Sequence, residues 1–244
     1  MSQMSLSICD VVDVSDAESI ARYVEVPANQ NGPLYRTMFP HSGTITEVQM
    51  DEITRWNVDM LQDAFQERWE RFLKVLSTDG TPVGFCGWTV ISRKSEEVIN
   101  HEIDKEPKKE KPKKKTWVPE TLDVDAWITI SKALRAERER VLKDLDNICR
   151  KLNYITTYSY LLKYLLTYLG LTFMAVSPNH QRQGIGSMMM ERICKEIDQY
   201  GRCAYVLAAP EGVRLYAKFG FQAVGSVETP QGTITSMFRQ SRQL

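Results

Sequence analysis

Apolar and polar residues along this chain fall into two kinds of block. Short runs that alternate, or that are apolar throughout, predict strands at residues 6–12, 71–77, 83–92 and 171–176. The stretches "AYVLAA", "FQAVGSVET" and "TITSMFR" add three more. Longer blocks with apolar residues three or four apart predict helices. Ser15 and Asp16 offer an N-cap to a helix running through "AESIARYVEV", and a second helix is predicted over 47–66. A third covers 123–153, with Ile130, Leu134, Val141, Leu145 and Ile148 on one face. A fourth covers 184–200, with Ile185, Met189, Ile193 and Ile197 at steps of four, and Gly201 ends it. "EGVRLYAKFG" is a short fifth helix closed by Gly220. The segment 29–40, "NQNGPLYRTMFP", is punctuated by Asn, Gly and Pro and is predicted as loop. The two strands at 71–77 and 83–92 form a hairpin around "TDGT". In the second, Gly84 and Gly87 either weaken the strand or mark a close approach by something else.

The resulting order is β-α-α-β-β, a helix, then β-α-β-α-β-β, with no internal repeat. The chain has 244 residues, enough for a substantial core, and is expected to be one domain over 1–244 with a basic low-complexity insertion at about 100–120. That insertion contains "DKEPKKEKPKKK", with seven lysines, two prolines and two glutamates. It lacks the apolar surface to join a core and is predicted to be an exposed loop. A nuclear-localisation or nucleic-acid patch is the competing reading.

Charge and cysteine usage narrow the function classes. Lys+Arg and Asp+Glu both number 31, so no global field draws the chain to nucleic acid or membrane. The five cysteines are widely spaced without a C-x-x-C, which predicts reduced thiols and a cytoplasmic protein, with a nuclear location open through the lysine-rich loop. His41, His101 and His180 have no cysteine at metal-ligand spacing, so no metal is expected. The Tyr/Leu-rich stretch before residue 171 is interrupted by Lys163, threonines and Gly170, and no membrane span is predicted there.

The stretch "AVSPNHQRQGIGSMMMERI" raises a chemical question, because Gly184 and Gly186 fall between a strand and a helix. The first N–H groups of a helix have no partner within it and favour an anion there. Arg182 adds a positive charge. The stretch lacks the lysine of a Walker loop, and Met189 occupies the third glycine position of a dinucleotide fingerprint. G-x-G alone also fits a tight turn with no ligand.

The wider context resembles the GNAT superfamily of N-acetyltransferases. "QRQGIG", Gln181 to Gly186, is similar to that family's [QR]-x-x-G-x-[GA] loop, and "APEGVRLYAKFGF" is similar to its next helix. The resemblance implies an α/β (α+β) fold with a mixed, mostly antiparallel central sheet flanked by helices. It also implies that the sheet is splayed between the "LTFMAV" and "AYVLAA" strands. It implies acetyl-CoA or coenzyme A as co-substrate. Its pyrophosphate would lie on Gln181, Arg182, Gln183, Gly184, Ile185, Gly186 and Ser187, and its pantetheine arm along Met174, Ala175 and Val176. Tyr216 matches the tyrosine that donates a proton to the leaving sulfur in several members; a core tyrosine on a short helix is the alternative.

The expected reaction is acetyl transfer from acetyl-CoA to an amine, with a small molecule as acceptor, by direct attack on the thioester. A non-catalytic coenzyme A-binding module and a protein acetyltransferase remain alternatives. The protein is expected to be a monomer or homodimer without nucleic-acid or membrane partners. No base is legible. "LTFMAV" has no carboxylate, and Leu207 stands where some relatives carry a glutamate. Glu25 and His41 lie where relatives build the acceptor site, but each is expected at the surface. Phe85 and Trp88 fit an acceptor pocket and a core equally well.

Overall fold

The computed structural model describes residues 6–67, 70–92, 117–153 and 167–240. The lysine run at 104–115 and residues 154–166 lie outside the described residues.

Seven strands form one sheet: β1 (Ser7–Asp10), β2 (Glu70–Leu76), β3 (Pro82–Ser92), β4 (Thr167–Val176), β5 (Cys203–Ala208), β6 (Gln222–Thr229) and β7 (Gly232–Arg239). Their order is β1-β2-β3-β4-β5-β7-β6. Every neighbouring pair is antiparallel except β4 and β5, which are joined through a helix and run parallel. β4 begins four residues before the predicted strand, so Thr167 to Gly170 continue it rather than leading into it.

Those four added residues decide the shape of the sheet. β4 pairs with β5 only at Tyr168, Leu169 and Gly170, opposite Cys203, Ala204 and Tyr205. Beyond them β4 continues along β3 while β5 continues along β7. The two central strands therefore diverge into a wedge, as the resemblance implied. A bulge lies at the apex: Leu171 faces Trp88 and Phe173 faces Gly87, which leaves Thr172 unpaired opposite β3. The extra residue reverses the alternation. Leu171, Met174 and Val176 pack on one face of the sheet, and Phe173 and Ala175 on the other.

Helices cover both faces. On the first lie α6 (Ile185–Gln199) and α7 (Pro210–Lys218), with Met189, Met190, Ile193 and Ile197 against β2–β5. Gly84 is the contact point. A Cβ there would lie 2.6 Å from Ile185 Cγ2, so close approach, rather than a weak strand, explains this glycine. On the opposite face lie α1 (Asp16–Ile20), a π-helical turn (Ala21–Glu25), α2 (Val26–Asn29), α3 (Pro33–Met38), α4 (Glu47–Phe65) and α5 (Val124–Asn153). Thr46 and Gln49 close a capping box at the start of α4.

Two local results differ from the sequence expectation. Residues 33–38 are helical, not loop, because Pro33 occupies the first helical position, where its missing N–H costs nothing. The first helix is not regular to its end. Pro27 cannot donate a hydrogen bond, and its ring crowds the carbonyl one turn back. The turn before it widens to the π form. None of the described helices is long and apolar enough to cross a membrane.

Candidate active site

The wedge opens toward the carboxyl ends of β4 and β5, and α6 and α7 both begin at that end. Between β4 and α6 the chain makes a short 3-10 turn, Pro178–His180. It then passes through two residues with positive φ, Arg182 at 62° and Gly184 at 87°. Gln181 anchors the loop through its side-chain amide, which donates to the Val176 carbonyl at 3.2 Å. Gly184 is the N-cap of α6 and no side chain caps the helix, so its first N–H groups face the end of the wedge unpaired by any cap.

The two glycines have different reasons. A Cβ at Gly184 would meet nothing within 4 Å: the space before the helix is open. A Cβ at Gly186 would lie 3.1 Å from Leu215 Cδ2, so this glycine lets α6 approach α7. The sequence reading missed Lys218, whose Nζ lies 3.2 Å from Ser187 Oγ. It puts a second cation beside the first turn of α6. Its position in the last turn of α7 gave no local signal.

Tyr216 projects from α7, which packs on β5 and β7, and is buried. Gly212, one turn earlier, makes room for it; a Cβ there would lie 2.9 Å from the ring. Phe221 closes the other side edge-on at 5.7 Å. Burial holds the hydroxyl well above the usual tyrosine range, and the Cys86 thiol on β3 adds to the effect. The ring from the β5 side of the wedge is thus within electrostatic reach of a residue on the β4 side. Burial pushes the Cys86 thiol itself up to about 12.

On the opposite face, Glu25 is not a surface residue. It ends the π turn, which packs on β3 and β4, and is 7% exposed. Asn29 donates to Oε2 at 2.6 Å, while Oε1 is buried without a hydrogen-bond partner among the described residues. Burial raises the carboxyl to about 7 against the opposing effect of the Asn29 bond. A sequence signal for this did exist. Ala17, Ile20, Ala21, Val24 and Ala28 form an apolar stripe, and Glu25 sits within it, four residues from Ala21. His41 is exposed, as expected. Phe85 and Trp88 are core residues on opposite faces of β3. Leu207 packs toward α5.

Residues 141–223 match the family model of the acetyltransferase (GNAT) domain. No curated protein matches the chain. Similar solved structures share the fold at low identity. One is the histone acetyltransferase HPA2 and related acetyltransferase of Corynebacterium glutamicum, with 13% identity, 99% of each chain covered and a TM-score of 0.56. A Drosophila melanogaster polyamine N-acetyltransferase has 13% identity, with 97% of this chain and 100% of that chain covered, at 0.56. An agmatine N-acetyltransferase gives 13%, 96% and 99%, at 0.56.

Proposed function

We propose, from the match of residues 141–223 to the acetyltransferase (GNAT) domain model, that this protein transfers the acetyl group of acetyl-CoA to the amine of a small molecule by direct attack on the thioester. The observation that carries the reading is the wedge, with an uncapped helix N-terminus at its wide end and a buried proton-carrying side chain on each face.

Acetyl-CoA would supply the activated thioester. The backbone amides of residues 182–187, with Arg182 and Lys218 beside them, hold its pyrophosphate. Residues Met174 to Val176 lack a β5 partner. That edge offers the pantetheine amides the hydrogen bonds of a neighbouring strand, and its N–H groups can stabilise the oxyanion.

Tyr216 donates the proton to the departing sulfur. Its raised affinity for the proton keeps it in the acid form at neutral pH. The same burial makes a thiolate in that environment hungry for a proton, and the high value of Cys86 is a gauge of it. Glu25 receives the proton of the acceptor ammonium. A carboxylate held at about 7 is a stronger base than an exposed one at about 4.3. The acceptor approaches from the α1–α4 face and the co-substrate from the α6–α7 face. Fold-sharing agmatine and polyamine N-acetyltransferases support a small amine as acceptor.

The test is calorimetry with coenzyme A and acetyl-CoA, followed by a panel of small amines with release of free thiol as the readout. Binding and amine-dependent thiol release are expected. No binding at millimolar ligand overturns the reading. Binding without thiol release across the panel favours a non-catalytic module, and release only with peptides favours a protein acceptor.

A further inference from the structure

We infer that Asn29 is a positioning residue for the reacting carboxylate: it ties down one oxygen of Glu25 and leaves the other, Oε1, as the oxygen that meets the acceptor amine. The inference rests on the reading of Glu25 as proton acceptor and goes beyond it.

The geometry is a clamp within one helical turn. Asn29 follows Glu25 by four residues, which places both on the same side of the helix. Its side-chain nitrogen carries two hydrogens and no lone pair to offer. It lies 2.9 Å from the Glu25 carbonyl oxygen and 2.6 Å from Oε2. The first contact fixes the amide against the main chain; the second fixes the carboxylate against the amide. The remaining oxygen has no hydrogen-bond partner among the described residues although Glu25 is more than nine-tenths buried. A buried, unpartnered carboxylate oxygen is costly, and an ammonium hydrogen from an acceptor would relieve it.

A donor on Oε2 favours the ionised form, which burial disfavours. Asn29 therefore sets both which oxygen reacts and the pH at which it is free of a proton. The apolar cluster on this side of the sheet includes Phe85, Phe173 and Ala175 from β3 and β4 and Val58 and Leu61 from α4, and Asn29 is the hydrogen-bond donor to the Glu25 carboxylate among the described residues. Of the charged side chains on the surrounding elements, Arg22 pairs with Glu18 and Asp51 and Lys74 with Asp16, while Glu52 on α4 has an oxygen, Oε2, buried without a hydrogen-bond partner among the described residues. Asn29 is itself exposed, so its replacement removes little packing.

Two pH profiles on the full chain test the proposal. The first is turnover with the best amine from the panel, for wild type, Asn29→Ala and Asn29→Asp. The second is melting temperature without ligand, for the same proteins and Glu25→Gln. In Asn29→Ala the ascending limb of turnover should move up by about one pH unit, with the plateau within a few-fold of wild type. Asn29→Asp should move it further, because a second carboxylate replaces the donor. The Glu25 titration seen in the melting profile should move in the same direction and be absent from Glu25→Gln. A uniform loss of turnover at every pH overturns the proposal and makes Asn29 structural. A melting shift with an unmoved rate profile overturns it differently: the clamp exists, but Glu25 is not the base. An unmoved melting profile removes the clamp itself.

Discussion

Leu215 on α7 fills the space beside Gly186 on α6, with its Cδ2 3.1 Å from where a Cβ would stand. The contact separates the two glycines of the loop into one that serves packing and one that serves the space before the helix. Gly186→Val should overpack this junction, costing about 1–3 kcal/mol with a lower melting temperature. Coenzyme A affinity should fall with it, as α6 shifts.

Gly184→Val should behave differently. The position has φ of 87° and open space around the missing Cβ. The stability cost is therefore backbone strain alone, about 1–2 kcal/mol. Binding of coenzyme A should nevertheless be crippled, because the new side chain occupies the space before the first N–H groups of α6. Calorimetry and melting temperature on the same preparation check this; normal affinity would make the loop a turn only.

Tyr216→Phe should lower turnover by roughly 10²–10⁴-fold with little change in coenzyme A affinity, since the ring and its contact with Phe221 remain. Because the hydroxyl is held well above the usual tyrosine range, the loss should be uniform across neutral pH rather than confined to one limb of the pH–rate profile. A packing role would leave turnover within a few-fold and cost about 1 kcal/mol.

Glu25→Gln should abolish most turnover near neutral pH and alter the pH dependence of stability. The folded carboxyl is raised from 4.5 to about 7. It binds its proton more tightly than the unfolded chain does, so its contribution is complete below pH 4.5 and is lost as pH rises through 7. The loss is on the order of 3 kcal/mol. The variant should lack this decline between acid and neutral pH. A melting profile parallel to wild type would show that Glu25 ionises without penalty.

Deleting residues 108–115 should leave transfer to a small amine nearly intact, because the run has no apolar residue to anchor it. A large loss of turnover would assign the segment to the active site.

The sequence by itself determined the strand and helix order of the second half and the glycine loop between β4 and α6. Both depend on local rules: i+4 apolar steps from Ile185 to Ile197, and glycines at the strand-to-helix junction. It also carried the residues that make Tyr216 fit, since Gly212 stands one turn before it. The tertiary structure alone decided where β4 and β5 part. Divergence depends on which neighbour each strand keeps, and the bulge at Thr172 is visible only against the partner strand β3. It also showed Glu25 buried rather than at the assumed surface position; the apolar stripe from Ala17 to Ala28 pointed that way, but only packing of the π turn on β3 and β4 decides that the stripe is covered. Gly186 makes the same point in reverse: a glycine placed for a ligand by its motif is held by Leu215, a residue 29 positions away that only folding brings beside it.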